Sequence, residues 1–179
     1  MNKIFGIILF VISAHAVFSQ DRIFLEQLPY DCKMMLTTDT NLREKSFVID
    51  STFGEEHNYH LYRKEPEVFA YTQKSSGKLV ILKIWQVPQS WETVGVSIGM
   101  SQSDLVSLLK NQKIPFSKKN FRITNYVHVK WKKLQYEFSF PTIDHTDIAY
   151  PQYRDQLHYV VVRVIDFSNK ASRGDKAVF

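Results

Sequence analysis

The chain has 179 residues, with 23 Lys or Arg against 18 Asp or Glu and a formal charge of +5. Hydrophobic residues make up 44% and charged residues 23%, which excludes a disordered polyampholyte, a collagen-like chain and a multi-pass membrane protein. The length suits one ordinary domain with a real core. The single cysteine, Cys32, rules out an internal disulfide and a cysteine-based zinc cluster.

Residues 1–19 read as an export signal. Lys3 supplies the positive start and Ile4 to Ala14 the apolar run. Cleavage is expected after Ala16 (Ala14-His15-Ala16) or after Ser19 (Val17-Phe18-Ser19). The run falls short of the about 20 apolar residues a membrane-crossing helix needs, and no later segment is apolar enough to span. Cys32 follows Leu28-Pro29-Tyr30-Asp31, which is not the small-residue setting of a lipid-modified cysteine, so no lipid anchor is expected. Asn41, Asn58, Asn111, Asn120, Asn125 and Asn169 all fail as glycosylation acceptors. A cysteine-poor, acceptor-free exported chain points to a bacterial periplasm or cell surface.

Residues 20–179 read as a single α+β domain, with Pro88-Gln89-Ser90 allowing a subdivision near 88–91. A short helix is expected over Asp21–Leu28, where Phe24, Leu25 and Leu28 share a face before Pro29. Strands are expected around Lys33–Thr37, Ser46–Ser51, Asn58–Arg63 and Val68–Thr72, with a turn at Ser75-Ser76-Gly77. Lys78 to Val87 is apolar on both faces apart from Lys83 and Gln86, and suits a central strand. Trp91–Ile98 reads as another strand, with Val94, Val96 and Ile98 on one face.

A helix is expected over Gln102–Gln112. Ser101 can cap it, Asp104 can close a capping box, and Met100 can staple to Leu105. Leu105, Leu108 and Leu109 make the apolar face, and Pro115 stops continuation. Phe121–Trp131 and Leu134–Phe140 alternate as strands. A turn at Lys132-Lys133 would place Trp131 opposite Leu134, Val129 opposite Tyr136 and Val127 opposite Phe138, all on one buried face. A polar connection, 141–156, leads to a last strand over Leu157–Phe167, and the tail from Ser168 is expected to fray. The sum is a large, mostly antiparallel sheet with one or two helices packed on it.

The segment Val96-Ser97-Ile98-Gly99-Met100-Ser101-Gln102-Ser103-Asp104-Leu105-Val106-Ser107-Leu108-Leu109 resembles one in the BamE (SmpA/OmlA) family and its relatives with a beta-lactamase-inhibitor-protein-like fold. In these small exported bacterial proteins a strand runs through I-x-x-G-M-S into a helix and then an antiparallel meander. The chain departs from them by lacking the lipid-modified cysteine and by carrying about 60 strand-rich residues before the motif. The resemblance implies a noncatalytic, protein-binding exported module, and no active-site residue carries over.

His57 and His60, with Glu55 and Glu56, invite a metal reading. Residues three apart on a strand point to opposite faces, so no metal or other cofactor is expected. Asp144, His145 and Asp147 form an Asp–His arrangement in the longest polar connection of the C-terminal half, and could serve a small periplasmic hydrolase. No nucleophile elbow, zinc-protease motif or phosphate loop accompanies them. His128 is expected opposite Glu137 as a cross-strand pair on a wet surface.

Charge is segregated. Residues 21–104 carry 9 basic and 12 acidic groups, whereas residues 105–179 carry 13 basic and 6 acidic. Between Leu105 and Tyr136 there are eight cations and no acid. Arg122, Tyr126 and Lys130 interleave an aromatic with cations, and Lys132 and Lys133 follow. For an exported chain such a face fits an acidic protein or an anionic envelope surface, with no nucleic acid expected. The functional expectation is an exported, noncatalytic binding module of the bacterial envelope that uses this face.

Overall fold

The computed structural model describes residues 23–52, 57–64, 68–121, 123–142 and 155–165. The export signal, Arg122, the Asp144–Asp147 loop and the C-terminal tail lie outside them. Eight strands form one sheet: β1 (Val48–Ile49), β2 (Tyr59–Lys64), β3 (Val68–Gln73), β4 (Lys78–Ile84), β5 (Phe116–Asn120), β6 (Thr124–Trp131), β7 (Leu134–Pro141) and β8 (Tyr159–Val164). Their order is β1-β2-β3-β4-β8-β7-β6-β5, and every pairing is antiparallel. The α+β expectation holds.

Strand residues alternate between faces, so the register assigns each side chain. Tyr62, Ala70, Leu82, Val162, Tyr136 and Val129 line up across β2, β3, β4, β8, β7 and β6. Val68, Ile84, Val160, Phe138 and Val127 form the next row on the same side. All are buried, and they make the core with the three helices of the described residues. These are α1 (Asp39–Glu44), α2 (Gln89–Thr93) and α3 (Gln102–Asn111). Leu42, Trp91, Leu105, Val106 and Leu109 are their buried contributions.

Helix α3 forms as its sequence demands. The Ser101 hydroxyl accepts from the Asp104 amide at 3.1 Å. The capping box is altered: the Asp104 carboxylate accepts from the Ser101 hydroxyl at 2.7 Å. The β6–β7 hairpin has the expected register, with Trp131 opposite Leu134, Val129 opposite Tyr136 and Val127 opposite Phe138. Lys132 takes φ +54° to close it without Gly, Asn or Asp.

The N-terminal helix is a short 3-10 turn, Ile23–Glu26, with a second at Pro29–Asp31. Phe24, Leu25 and Leu28 enter the core as expected. Trp91 meets the Phe24 ring edge-on at 5.6 Å and donates its indole N–H to the Gln27 carbonyl at 2.8 Å. The Tyr136 hydroxyl donates to the Leu25 carbonyl. The start of the described chain is thereby fixed to the middle of the sheet.

Two expected strands are absent. Lys33–Thr37 forms a turn that touches β4 through Met35 N–H to Leu79 O (2.8 Å) and Leu79 N–H to Thr37 O (2.9 Å). Met35 at φ +65° prevents an extended run. Trp91–Ile98 begins in α2, behind Pro88, and continues irregularly. Gly95 and Gly99 both sit at φ +90°, where an extended strand cannot pass. Three elements were not anticipated: α1, α2 and β5.

Candidate functional site

The described helices bury their apolar residues in the core on the first face of the sheet. The second face carries the alternate residues of the same strands. Its middle row runs Arg63, Phe69, Lys83, Val161, Glu137 and His128 across β2, β3, β4, β8, β7 and β6. A second row holds Tyr159, Ser139 and Tyr126 on β8, β7 and β6. Trp85, just past β4, packs edge-on against Phe69 at 4.6 Å and tilted against Tyr159 at 5.8 Å. A band of aromatic rings thus crosses the sheet, with charged groups beside it.

Lys83 occupies the centre of this band. Its ammonium lies 4.3 Å from the Trp85 ring centroid and 4.2 Å from that of Tyr159. Among the described residues no carboxylate pairs with it. Partial burial removes water from the ammonium and pulls its pKa down. His158 beside it is also held below the ordinary imidazole value, first by burial and then by the Lys83 charge.

Two acids serve this face among the described residues: Asp50 pairs with Arg63, and Glu137 is engaged further along the row. Both its oxygens lie 3.4 Å from one Arg163 nitrogen, and Oε2 lies 3.5 Å from His128 Nε2. The expected His128–Glu137 pairing is therefore present, but its surroundings differ from expectation. The two side chains are only 11% and 17% exposed, so the pair lies in a largely dry setting. Burial pulls the His128 pKa below its ordinary value. Glu137 opposes that shift, while Lys119, Arg163 and Lys130 add to it. Burial also raises the Tyr126 phenol to about 12, with Tyr159 adding to the shift. The Ser139 hydroxyl, between Tyr126 and Tyr159 in register, is fully buried without a hydrogen-bond partner among the described residues.

Of the residues expected on a binding face, Tyr126 and Lys130 do share this second face with His128, by strand parity on β6. Lys132 and Lys133 lie in the β6–β7 turn and are exposed. Lys132 is tied to Glu26 at 2.7 Å. Arg122 lies outside the described residues, as do Asp144, His145 and Asp147. His60 contacts Asp39 at 3.3 Å on the core side of β2, and the Thr72 hydroxyl donates to the same carboxylate. The described residues contain no group of three or more His, Cys, Asp or Glu placed to hold a metal. Cys32 is buried, and burial pushes its thiol up to about 11.

Lys83 and Trp85 were not anticipated as site residues, because KLVILKIWQV reads as a buried strand. The signal present was parity: Ile81, Lys83 and Trp85 alternate with Leu82 and Ile84, so both polar and amphipathic members fall on one side.

No family model and no curated protein matches this chain. Among solved structures, an extracellular protein containing a SCP domain from Bacillus anthracis str. Ames is similar with a TM-score of 0.45 and 12% identity. The match covers 78% of this chain and 47% of that one, so this chain spans about half its length. A likeness of that size carries no argument about function.

Proposed function

We propose that this chain is an exported, noncatalytic binding module whose second sheet face holds an acidic polysaccharide of the cell envelope. The observation that supports it is Lys83, a half-buried ammonium framed by Trp85 and Tyr159 with no described carboxylate partner. Desolvating a charge without an ion-pair partner is costly, and a ligand carboxylate would offset that cost. Ring faces beside the ammonium suit the apolar C–H faces of sugar rings, while Arg163 and Lys130 keep the local field positive. Export rests on the N-terminal sequence, and the anionic class on the charge segregation.

The test is a titration with polygalacturonate, followed by tryptophan fluorescence and calorimetry. Binding should saturate, weaken with added salt, and fall about tenfold or more in Lys83→Met. Trp85→Ala should weaken it too. Fully methyl-esterified polygalacturonate, which has the same sugars without the charge, should not bind. Equal binding of the esterified polymer, or no effect of either substitution, would remove the proposal.

A further inference from the structure

The sheet ends on two unlike edges. β1 pairs over two residues, whereas β5 pairs with β6 over five, Phe116–Asn120. Ser117 to Asn120 are all exposed, and β5 has no further strand on its outer side among the described residues. In an antiparallel ladder, hydrogen-bonded pairs alternate with non-bonded pairs. The Phe121 N–H donates to the Thr124 carbonyl at 3.1 Å, which fixes the phase. By parity Lys119 and Ser117 spend their backbone groups inward on Tyr126 and His128. Phe116, Lys118 and Asn120 therefore aim their N–H and C=O groups outward, away from the sheet.

We infer that this outer edge of β5 is a strand-addition site that takes an extended acidic segment of a partner protein. Backbone pairing with an exposed edge gives affinity irrespective of sequence, and flanking side chains choose the sequence. Here the chooser is charge. Lys118 and Lys119 lie on the edge strand, and Lys110 and Lys113 at the end of α3; no described carboxylate pairs with any of them. Two β5 edges of this chain brought together would oppose lysine to lysine, so the same charge that invites an acid-bearing strand rejects a second copy. Phe121 and Ile123, 57% and 44% exposed at the end of the strand, offer apolar contact to a branched side chain of the incoming segment. The inference goes beyond the proposed polysaccharide site, since it uses another surface and backbone hydrogen bonds.

The experiment uses the whole chain and a labelled heptapeptide of alternating Glu and Val, read by fluorescence anisotropy. Saturable binding is expected, with the matching Lys–Val peptide inert and affinity falling as salt rises. Lys118→Pro removes an outward N–H while leaving the β5–β6 bonds in place, and should weaken binding about tenfold or more at an unchanged thermal midpoint. Lys119→Pro removes an inward bond and should instead lower the midpoint. N-methylation of the peptide at alternate residues, which leaves the protein untouched, should abolish binding in one of its two phases and spare it in the other. Four results would overturn the inference: no saturation by about 1 mM peptide, equal affinity for Lys118→Pro and wild type, equal affinity for both methylated peptides, or loss of peptide binding in Lys83→Met. The last would move the peptide to the sheet face and leave the polysaccharide titration to be judged on its own arms.

Discussion

The two faces of the sheet are built by alternate residues of the same strands, yet they differ in the charge they carry. Leu82 and Ile84 on β4 are fully buried among Val160, Val162 and the helices, while Lys83 between them meets Trp85 and Tyr159. Each first-face residue contributes hydrophobic burial, about 1.5–3 kcal/mol for a fully buried side chain. The second face buries Leu61 and Val161 as well, but it adds desolvated charge that the described residues only partly compensate. Apolar burial and desolvated charge are thus separated by a single residue step on β4.

The sharpest way to break this contrast is a pair of identical truncations. Trp91→Ala removes a fully buried indole that contacts Phe24, Tyr136 and Phe138 and donates to Gln27. It should cost roughly 3–5 kcal/mol in denaturant unfolding. Trp85→Ala, on the second face, should cost about 1 kcal/mol or less. Comparable losses at the two positions would mean that the second face is structural as well.

Glu137→Gln probes the charge cluster itself. It leaves Arg163 and His128 side by side without their carboxylate, and should cost roughly 1–3 kcal/mol by the same measurement. A neutral result would mean that solvent already serves these groups.

The smallest effect is on pH dependence. His128 and His158 have native pKa values below the unfolded imidazole value of about 6.5. The unfolded chain therefore takes up protons first as pH falls. The stability from these neutral imidazoles is fully present above about pH 6.5 and is lost as pH drops through that value toward the native pKa values. The thermal midpoint of His128→Gln/His158→Gln should change less between pH 7 and pH 5.5, both working values chosen around the imidazole range. An unchanged slope would place the acid sensitivity elsewhere.

The legibility of the sequence follows this division. Helix α3 could be read because cap, staple and leucine spacing all agree, and the β6–β7 register because both strands alternate cleanly. Helix α1 could not be read by periodicity, since six residues bury only Leu42. Its signal was local: Thr38 and Asn41 bond reciprocally as a capping box. The Trp91–Ile98 misreading had a different cause. Val94, Val96 and Ile98 imitate a strand, and only the backbone angles of Gly95 and Gly99 show otherwise. β5, Phe-Ser-Lys-Lys-Asn, has one apolar residue and no alternation, so hydrophobic pattern says nothing about it. Of the expected face, alternation on β6 puts Tyr126 and Lys130 on one side, but Lys83 was hidden within an apolar run. Which residues oppose one another across β4 and β8 depends on long-range pairing that no local pattern encodes.

That pairing has a consequence for how the domain is made. β8 comes last among the described strands but sits fourth from the β5 edge, and the β4–β8 ladder is the seam between β1–β4 and β5–β7. A nascent polypeptide that stops before Tyr159 has two meanders and no seam. The two meanders therefore cannot be joined through the sheet until Tyr159–Val164 has been made, so the ladder of greatest sequence separation closes after the local hairpins that flank it.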